Sequence, residues 1–396
     1  MPGHSLKSVP AARPAPQNDP PSGDPVRNGK RAKAAENPKT WSVKLPFLAR
    51  LGSKDKIALF KYLAVMTDAG IPLEKALEAV HEQARSTVLH RVLHVMITDV
   101  TSGEFLSTAM RRMPGVFDGL QIGLVEAGEN SGSLAASLFR ISENIEKNRE
   151  LKAKVQGALL YPFIVLLATG GITAYLMFFL LPQIAPLFAS LKLDLPWTTR
   201  VVMAASQFFL ADWGWALVLT IGAIALFALL MRLVRPFHYA MHAASLYVPV
   251  FGQLSRKVQV AQMSRVLGVL TKSGITVVDA LHVTADSLSN DVYRGVLKEV
   301  AAAVQEGDSI APHLAAHPSL FSPFIVQMIN VGEETGKLDE SFLFVSGFSE
   351  REVDDTTKTL TTILEPLLML MIGTVVGFIA IAIITPIYDL TKGINP

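Results

Sequence analysis

The chain repeats itself at a constant spacing of 204 residues, so its fold has to accommodate two copies of one unit. Residues 61–77 read KYLAVMTDAGIPLEKAL and residues 265–281 read RVLGVLTKSGITVVDAL. Leu63, Val65, Thr67, Gly70, Ile71, Ala76 and Leu77 return as Leu267, Val269, Thr271, Gly274, Ile275, Ala280 and Leu281. Further on, Gly103 pairs with Gly307 and Pro114 with Pro318. Phe117, Gly128, Glu129, Gly132 and Leu134 pair with Phe321, Gly332, Glu333, Gly336 and Leu338. The register enters two long apolar segments, opened by Pro162 and Pro366 and closed by Pro182 and Pro386. The duplicated unit is therefore a polar domain followed by one apolar segment.

Half of the 396 residues are apolar and the mean hydropathy is +0.36, too high for an ordinary soluble protein. Crossing a bilayer takes about 20 apolar residues. Three segments meet that length: 159–181, 213–233 and 367–385. The last contains no charged residue, and its length argues against a buried core helix. Trp213 and Trp215 suit the interface at the start of the second. Lys147, Arg149, Lys152 and Lys154 precede the first span, and Arg232, Arg235, Arg256 and Lys257 close or follow the second. The loop between these spans holds only Lys192 and Arg200, and the stub after the third only Lys392. Basic flanks stay cytoplasmic. The expected topology puts residues 1–157 and 235–364 in the cytoplasm. The 183–211 loop and the short 386–396 C-terminus are then periplasmic. Two units in tandem would put the second domain outside; the middle span returns the chain, in agreement with the charges.

Each domain reads as all-α, with no strand-like alternation. In the first, over residues 53–157, Ser53 is positioned to cap a helix running to Asp68. Gly70 ends that helix and Pro72 sits near the first turn of the next. Further helices are predicted over 87–102, 107–113 and 118–127, broken at Gly103 and Pro114. A last helix starts near Ser133, carries the apolar stripe Leu134, Leu138, Ile141 and Ile145, and meets no breaker before Pro162. It is expected to run on into the first span. The second domain, over 257–364, repeats this order. Residues 1–50, rich in proline and carrying Arg27, Lys30, Arg31 and Lys33, contain no apolar run after those charges. They read as a disordered basic cytoplasmic tail and not as a secretory signal.

The patterns AGIPLEKAL and VEAGENSGSL, a basic juxtamembrane helix and LLYP resemble the type II secretion F family. So do their second-copy counterparts SGITVVDAL, VGEETGKL and LEP, and FLLPQIAPLF and LPWTTRVV after the first span. The resemblance covers roughly residues 54–392. It implies an all-α membrane protein with two homologous cytoplasmic six-helix bundles and three transmembrane helices in the bacterial inner membrane. It implies a non-enzymatic platform that couples a hexameric secretion or pilus ATPase to assembly of pilins or pseudopilins. Other inner-membrane platform proteins and further copies of the chain are the remaining implied partners, with the bilayer itself. A net charge of +2 gives no case for nucleic acid. A transporter or channel subunit is the alternative, although the spans lack the ionisable residues an ion pathway uses.

Chemistry is harder to find. With no cysteine, thiol catalysis and cysteine-ligated metals are excluded. Residues 332–338, GEETGKL, have three residues between the glycines and Leu338 after the lysine. A phosphate loop needs four, then Ser or Thr. The pairs His90/His94, His238/His242 and His313/His317 have i, i+4 spacing but no HExxH glutamate, and read as surface or interfacial histidines. Glu126 and Glu129 lie three apart, and Glu129 returns as Glu333. They could hold a divalent cation at a domain interface, or be solvated carboxylates near a helix N-terminus. No catalytic residue, cofactor or metal is expected. The candidate functional positions are the repeated turns, Gly70, Gly128, Glu129, Gly132, Gly274, Gly332, Glu333 and Gly336. Pro162, Pro366, Gly373 and Gly377 are candidates for packing in the membrane, the last two as a GxxxG pair.

Overall fold

The computed structural model describes residues 51–113, 115–180, 235–248 and 251–393, with scattered positions between 183 and 231. The expected tail over 1–50, nearly all of the 183–211 loop, Pro114, Pro182 and residues 394–396 lie outside the described residues. Among those described no β-strand occurs, and the expected all-α class holds.

The first copy comprises α1 (Ser53–Asp68), α2 (Leu73–Gln83), α3 (Thr87–Thr101), α4 (Leu106–Arg111), α5 (Gly119–Ser131) and α6 (Leu134–Tyr175). After the second apolar segment, whose described positions between 218 and 231 are helical, comes α7 (Arg235–Tyr247). The second copy is α8 (Phe251–Lys272), α9 (Val277–Ser287), α10 (Asp291–Gln305), α11 (Ile310–Ala315), α12 (Pro323–Thr335) and α13 (Leu338–Gly393). The spacing of 204 holds at both ends of the second to fifth helices, at the ends of α1 and α8, and at the starts of α6 and α13.

Local chemistry sets these boundaries. Ser53 is the first residue of α1 and not its cap. The Lys56 amide donates to the Gly52 carbonyl at 3.0 Å, so the helix closes on Gly52, which offers no side chain. Asp118 stands just outside α5 as its cap. Its carboxylate accepts from the Gln121 amide at 2.9 Å in a capping box. Burial pushes the Asp118 carboxyl above its ordinary range, against the pull of that bond and of Lys56. The helix continues four residues past 127, because no breaker arrives until Gly132. Ser86 and Asn290 cap the equivalent helices α3 and α10.

Equivalent positions are buried in both copies: Leu63 and Leu267, Leu77 and Leu281, Leu93 and Leu297, Met110 and Leu314, Ile141 and Val345. The two bundles share one continuous apolar core. Between them α5 faces α9 and the turn before it, where Gly119 approaches Val283 and Gly123 approaches Ile275. The guanidinium of Arg140 donates to Ser273 Oγ at 2.7 Å. Beyond the bundles, α6, α8 and α13 form a stem around Leu151, Leu254, Ala261, Val353 and Leu360. Lys154 meets the carboxylate of Asp354 across it at 2.9 Å.

Among the described residues, two helices are long and apolar enough to cross a membrane. Each begins at a bundle and continues without a break. In α6, Pro162 lies inside the helix and is buried, and a five-residue π-helical turn (Leu176–Leu180) follows Tyr175. The most apolar windows of α6 and α13 are only 6% and 11% buried, which excludes the reading of a soluble core helix. Leu160, Phe163, Leu167, Leu367 and Leu370 are all more than half exposed, as lipid-facing side chains would be in a chain without its bilayer.

Candidate functional site: the duplicated glycine–glutamate turn

Where α5 gives way to α6, Gly132 takes the left-handed conformation with φ 68°, and Gly336 does the same with φ 69° between α12 and α13. Ser133 and Lys337 amides then donate back to the carbonyls of Gly128 and Gly332, both at 2.9 Å. Gly132 and Gly336 donate to Glu129 and Glu333 at 3.4 and 3.3 Å. This is a Schellman closure, and it favours glycine because an L side chain is strained there. The amides that a phosphate would need are spent on the helix's own carbonyls. Gly70 and Gly274 make comparable turns, each with φ 81°, after α1 and α8.

Gly128 and Gly332 are required for a different reason. A Cβ on Gly128 would lie 2.6 Å from Ser137 Oγ and 2.8 Å from Ser137 Cβ. On Gly332 it would lie 2.6 and 2.7 Å from the same atoms of Ser341. At these two points one helix backbone rests directly on the serine of the next.

The glutamates face a third element. Glu129 Oε1 accepts from the Leu106 amide at 2.5 Å, and Oε2 accepts from the Ser107 amide at 3.2 Å and the Ser107 hydroxyl at 2.5 Å. In the second copy Glu333 accepts from the amides of Ile310 and Ala311 at 2.5 and 2.9 Å. Each carboxylate therefore caps the N-terminus of a short helix, α4 or α11, from 22–23 residues away, satisfying orphan amides at the positive end of the helix. Glu126 does not converge with Glu129; it pairs with Arg111 at 2.6 Å on the surface. Asn330 stands at the Glu126 position of the second copy and bonds Glu334 instead. The turn thus joins three helices at the foot of each long helix.

The four membrane-packing candidates sit in different surroundings. Pro162 is buried and Pro366 is exposed. A Cβ at Gly373 or Gly377 would meet nothing within 4 Å.

Several contacts were not anticipated. Phe117 packs edge-on against Phe60 of α1, at 5.9 Å between ring centres. Its counterpart Phe321 packs against Tyr293 of α10, at 5.5 Å. Position 60 becomes Ser264 and position 89, a leucine, becomes Tyr293, so the second copy moves its aromatic partner to another helix. Aligning the copies at those two positions carries the signal. A cleft of about 650 Å³ between the copies is lined by Val65, Phe139, Arg140, Arg265 and Lys272. Burial lowers the Arg265 guanidinium from its ordinary value, with Glu143 and Glu150 of α6 opposing that shift, and Arg265 also pairs with Glu350 of α13.

Two helical bundles in one register, each locked by the same turn to a helix apolar enough for a bilayer, define an all-α membrane protein built by tandem duplication. The family model described as "Type II secretion system (T2SS), protein F" matches residues 59–182 and again 263–386, the same 204-residue shift. The chain belongs to the type II secretion system protein F family. It is similar to the "Type IV pilus assembly protein PilC" of Thermus thermophilus, 34% identical over 88% of this chain and 86% of the relative. It is likewise similar to the "Type II secretion system protein F" of Xanthomonas campestris, 33% identical over 89% and 88%. The "Type IV pilus assembly protein PilC" of Pseudomonas aeruginosa is 32% identical over 84% and 89%.

Proposed function

We propose that the chain is a non-enzymatic platform protein of the bacterial inner membrane that couples a cytoplasmic secretion or pilus ATPase to the assembly of pilin or pseudopilin filaments. The relatives' names, drawn from pilus assembly and type II secretion, support the setting. In this reading both bundles are cytoplasmic and engage the ATPase, and three spans engage the filament subunits. The single observation that carries the mechanism is the continuity of α6 and α13. Each rises from a bundle core and runs unbroken into an apolar segment. A displacement imposed on a bundle reaches the membrane through backbone hydrogen bonds, with no loop to absorb it. The glycine–glutamate turns hold the foot of each long helix to its bundle, which is the joint such coupling stresses most. The role asks the chain to bind and transmit, with the chemistry supplied by the ATPase.

The test breaks the continuity and leaves everything else in place. A short Gly-Ser linker inserted between Gln156 and Gly157, both exposed, uncouples the first bundle from its span. The variant is expected to reach the membrane at wild-type levels and to copurify with the ATPase, while surface filaments or secreted substrate disappear. Normal filament number or secretion in that strain would refute the coupling mechanism.

A further inference from the structure

His238 and His242 stand one turn apart on α7, so their rings leave the same face of that helix. Asp291 is the first residue of α10. His238 Nδ1 lies 2.5 Å from Asp291 Oδ2, His242 Nδ1 lies 3.7 Å from the same oxygen, and the ring centres are 4.1 Å apart. One donor atom from each residue falls within 4.8 Å of the other two, and no other trio of histidine and carboxylate donors among the described residues converges this closely. We propose that His238, His242 and Asp291 form a site for a divalent transition-metal ion of the zinc class, which fastens α7 to the second bundle.

The donor chemistry selects the ion. Two imidazole nitrogens and one carboxylate oxygen suit zinc and its neighbours, whereas calcium and magnesium seek a shell of oxygens. Three protein donors leave a fourth position for water, and the half-burial of all three keeps an entry path open. The surroundings orient the donors as outer ligands do in metal sites. Arg294 holds Asp291 Oδ1 at 2.6 Å, leaving Oδ2 turned toward the imidazoles. Arg294 itself donates to the Leu288 carbonyl at 2.8 Å. Asn290 donates to the His242 carbonyl at 3.4 Å, pinning α7 beside the cluster. Without an ion, the His238–Asp291 bond and a 3.1 Å bond from the Asp291 amide to His242 Nδ1 keep the donors together. An ion replaces both; the released amide belongs to the first turn of α10, where water commonly satisfies such groups. In the first copy Thr87 stands at the position of Asp291. The site therefore belongs to the return of the chain from its second apolar segment and not to the duplicated unit.

The full chain, purified in detergent without a polyhistidine tag and stripped with chelator, is titrated with Co²⁺ and then Zn²⁺. One equivalent of Co²⁺ with a visible ligand-field band, displaced by Zn²⁺, is expected for the wild type. The double variant H238Q/H242Q should lose the band, and H90Q/H94Q, which alters the i, i+4 pair of the first bundle, should keep it. Absence of a band in the wild type, or a band that survives in H238Q/H242Q, overturns the proposal. Amide exchange provides a measurement that needs no variant. Exchange across α7 should slow when Zn²⁺ is added to the wild type, and an unchanged rate also overturns it.

Discussion

Gly128 and Gly132 sit four residues apart in one turn and resist substitution through different physics, so they fail differently. Gly132→Ala forces an alanine into the left-handed region, at a cost of about 1 kcal/mol. Gly128→Ala drives a methyl into Ser137, and overpacking of this kind costs about 1–3 kcal/mol. Ser137→Gly should recover much of the second loss and none of the first, as read by chemical denaturation of the solubilised chain. Glu129→Ala removes charge-assisted bonds to two amides and a hydroxyl, worth about 2 kcal/mol together. Its signature is faster amide exchange at Leu106 and Ser107, with Glu333→Ala acting likewise on Ile310 and Ala311. Positions that recur across the duplication could be picked out from residue identities alone, but the role of Glu129 could not. Its partners are main-chain amides 22–23 residues upstream, and an amide leaves no mark in a sequence.

At the scale of elements, helix type and order were legible wherever glycine and proline punctuate an apolar period. The miss at the start of α1 arose because the chain closes its first turn on Gly52, a residue with no capping side chain to advertise the boundary. The exchange of Phe60 for Tyr293 as the aromatic neighbour escaped notice because propensity concerns one helix at a time, and this compensation spans three. The pairing of α2 with α3 carries a pH prediction. Burial first, and then His90 and His94, hold His81 below its ordinary 6.5, and its buried Nε2 has no hydrogen-bond partner. A depressed histidine resists protonation in the folded state while the unfolded chain takes up the proton. The fold therefore keeps its full stability above 6.5 and loses some of it as pH falls below that value toward the lowered folded one. Amide exchange in α2 and α3, corrected for intrinsic rates, should rise between about pH 7.5 and about pH 5.5. His81→Ala should flatten that rise.

For the whole molecule, the missing cysteines are an experimental opening. Single cysteines at Arg85, Lys192 and Ser289 test the proposed topology with an impermeant maleimide on spheroplasts. Label is expected at position 192 alone, with positions 85 and 289 reacting only after lysis. Label at 289 in intact spheroplasts would place the second bundle outside and remove the basis for its ATPase contact. The length of the two continuous helices has a mechanical consequence. At 42 and 56 residues they extend about 63 and 84 Å. Rocking the longer one by about 5° near its bundle would sweep its far end sideways by about 7 Å. Pro162 removes one hydrogen-bonded rung from the shorter shaft without interrupting it, and Pro366 recurs at the same distance along the longer one. Under the proposed function, such a pair of arms would turn a small displacement at the bundles into a larger excursion at their far ends.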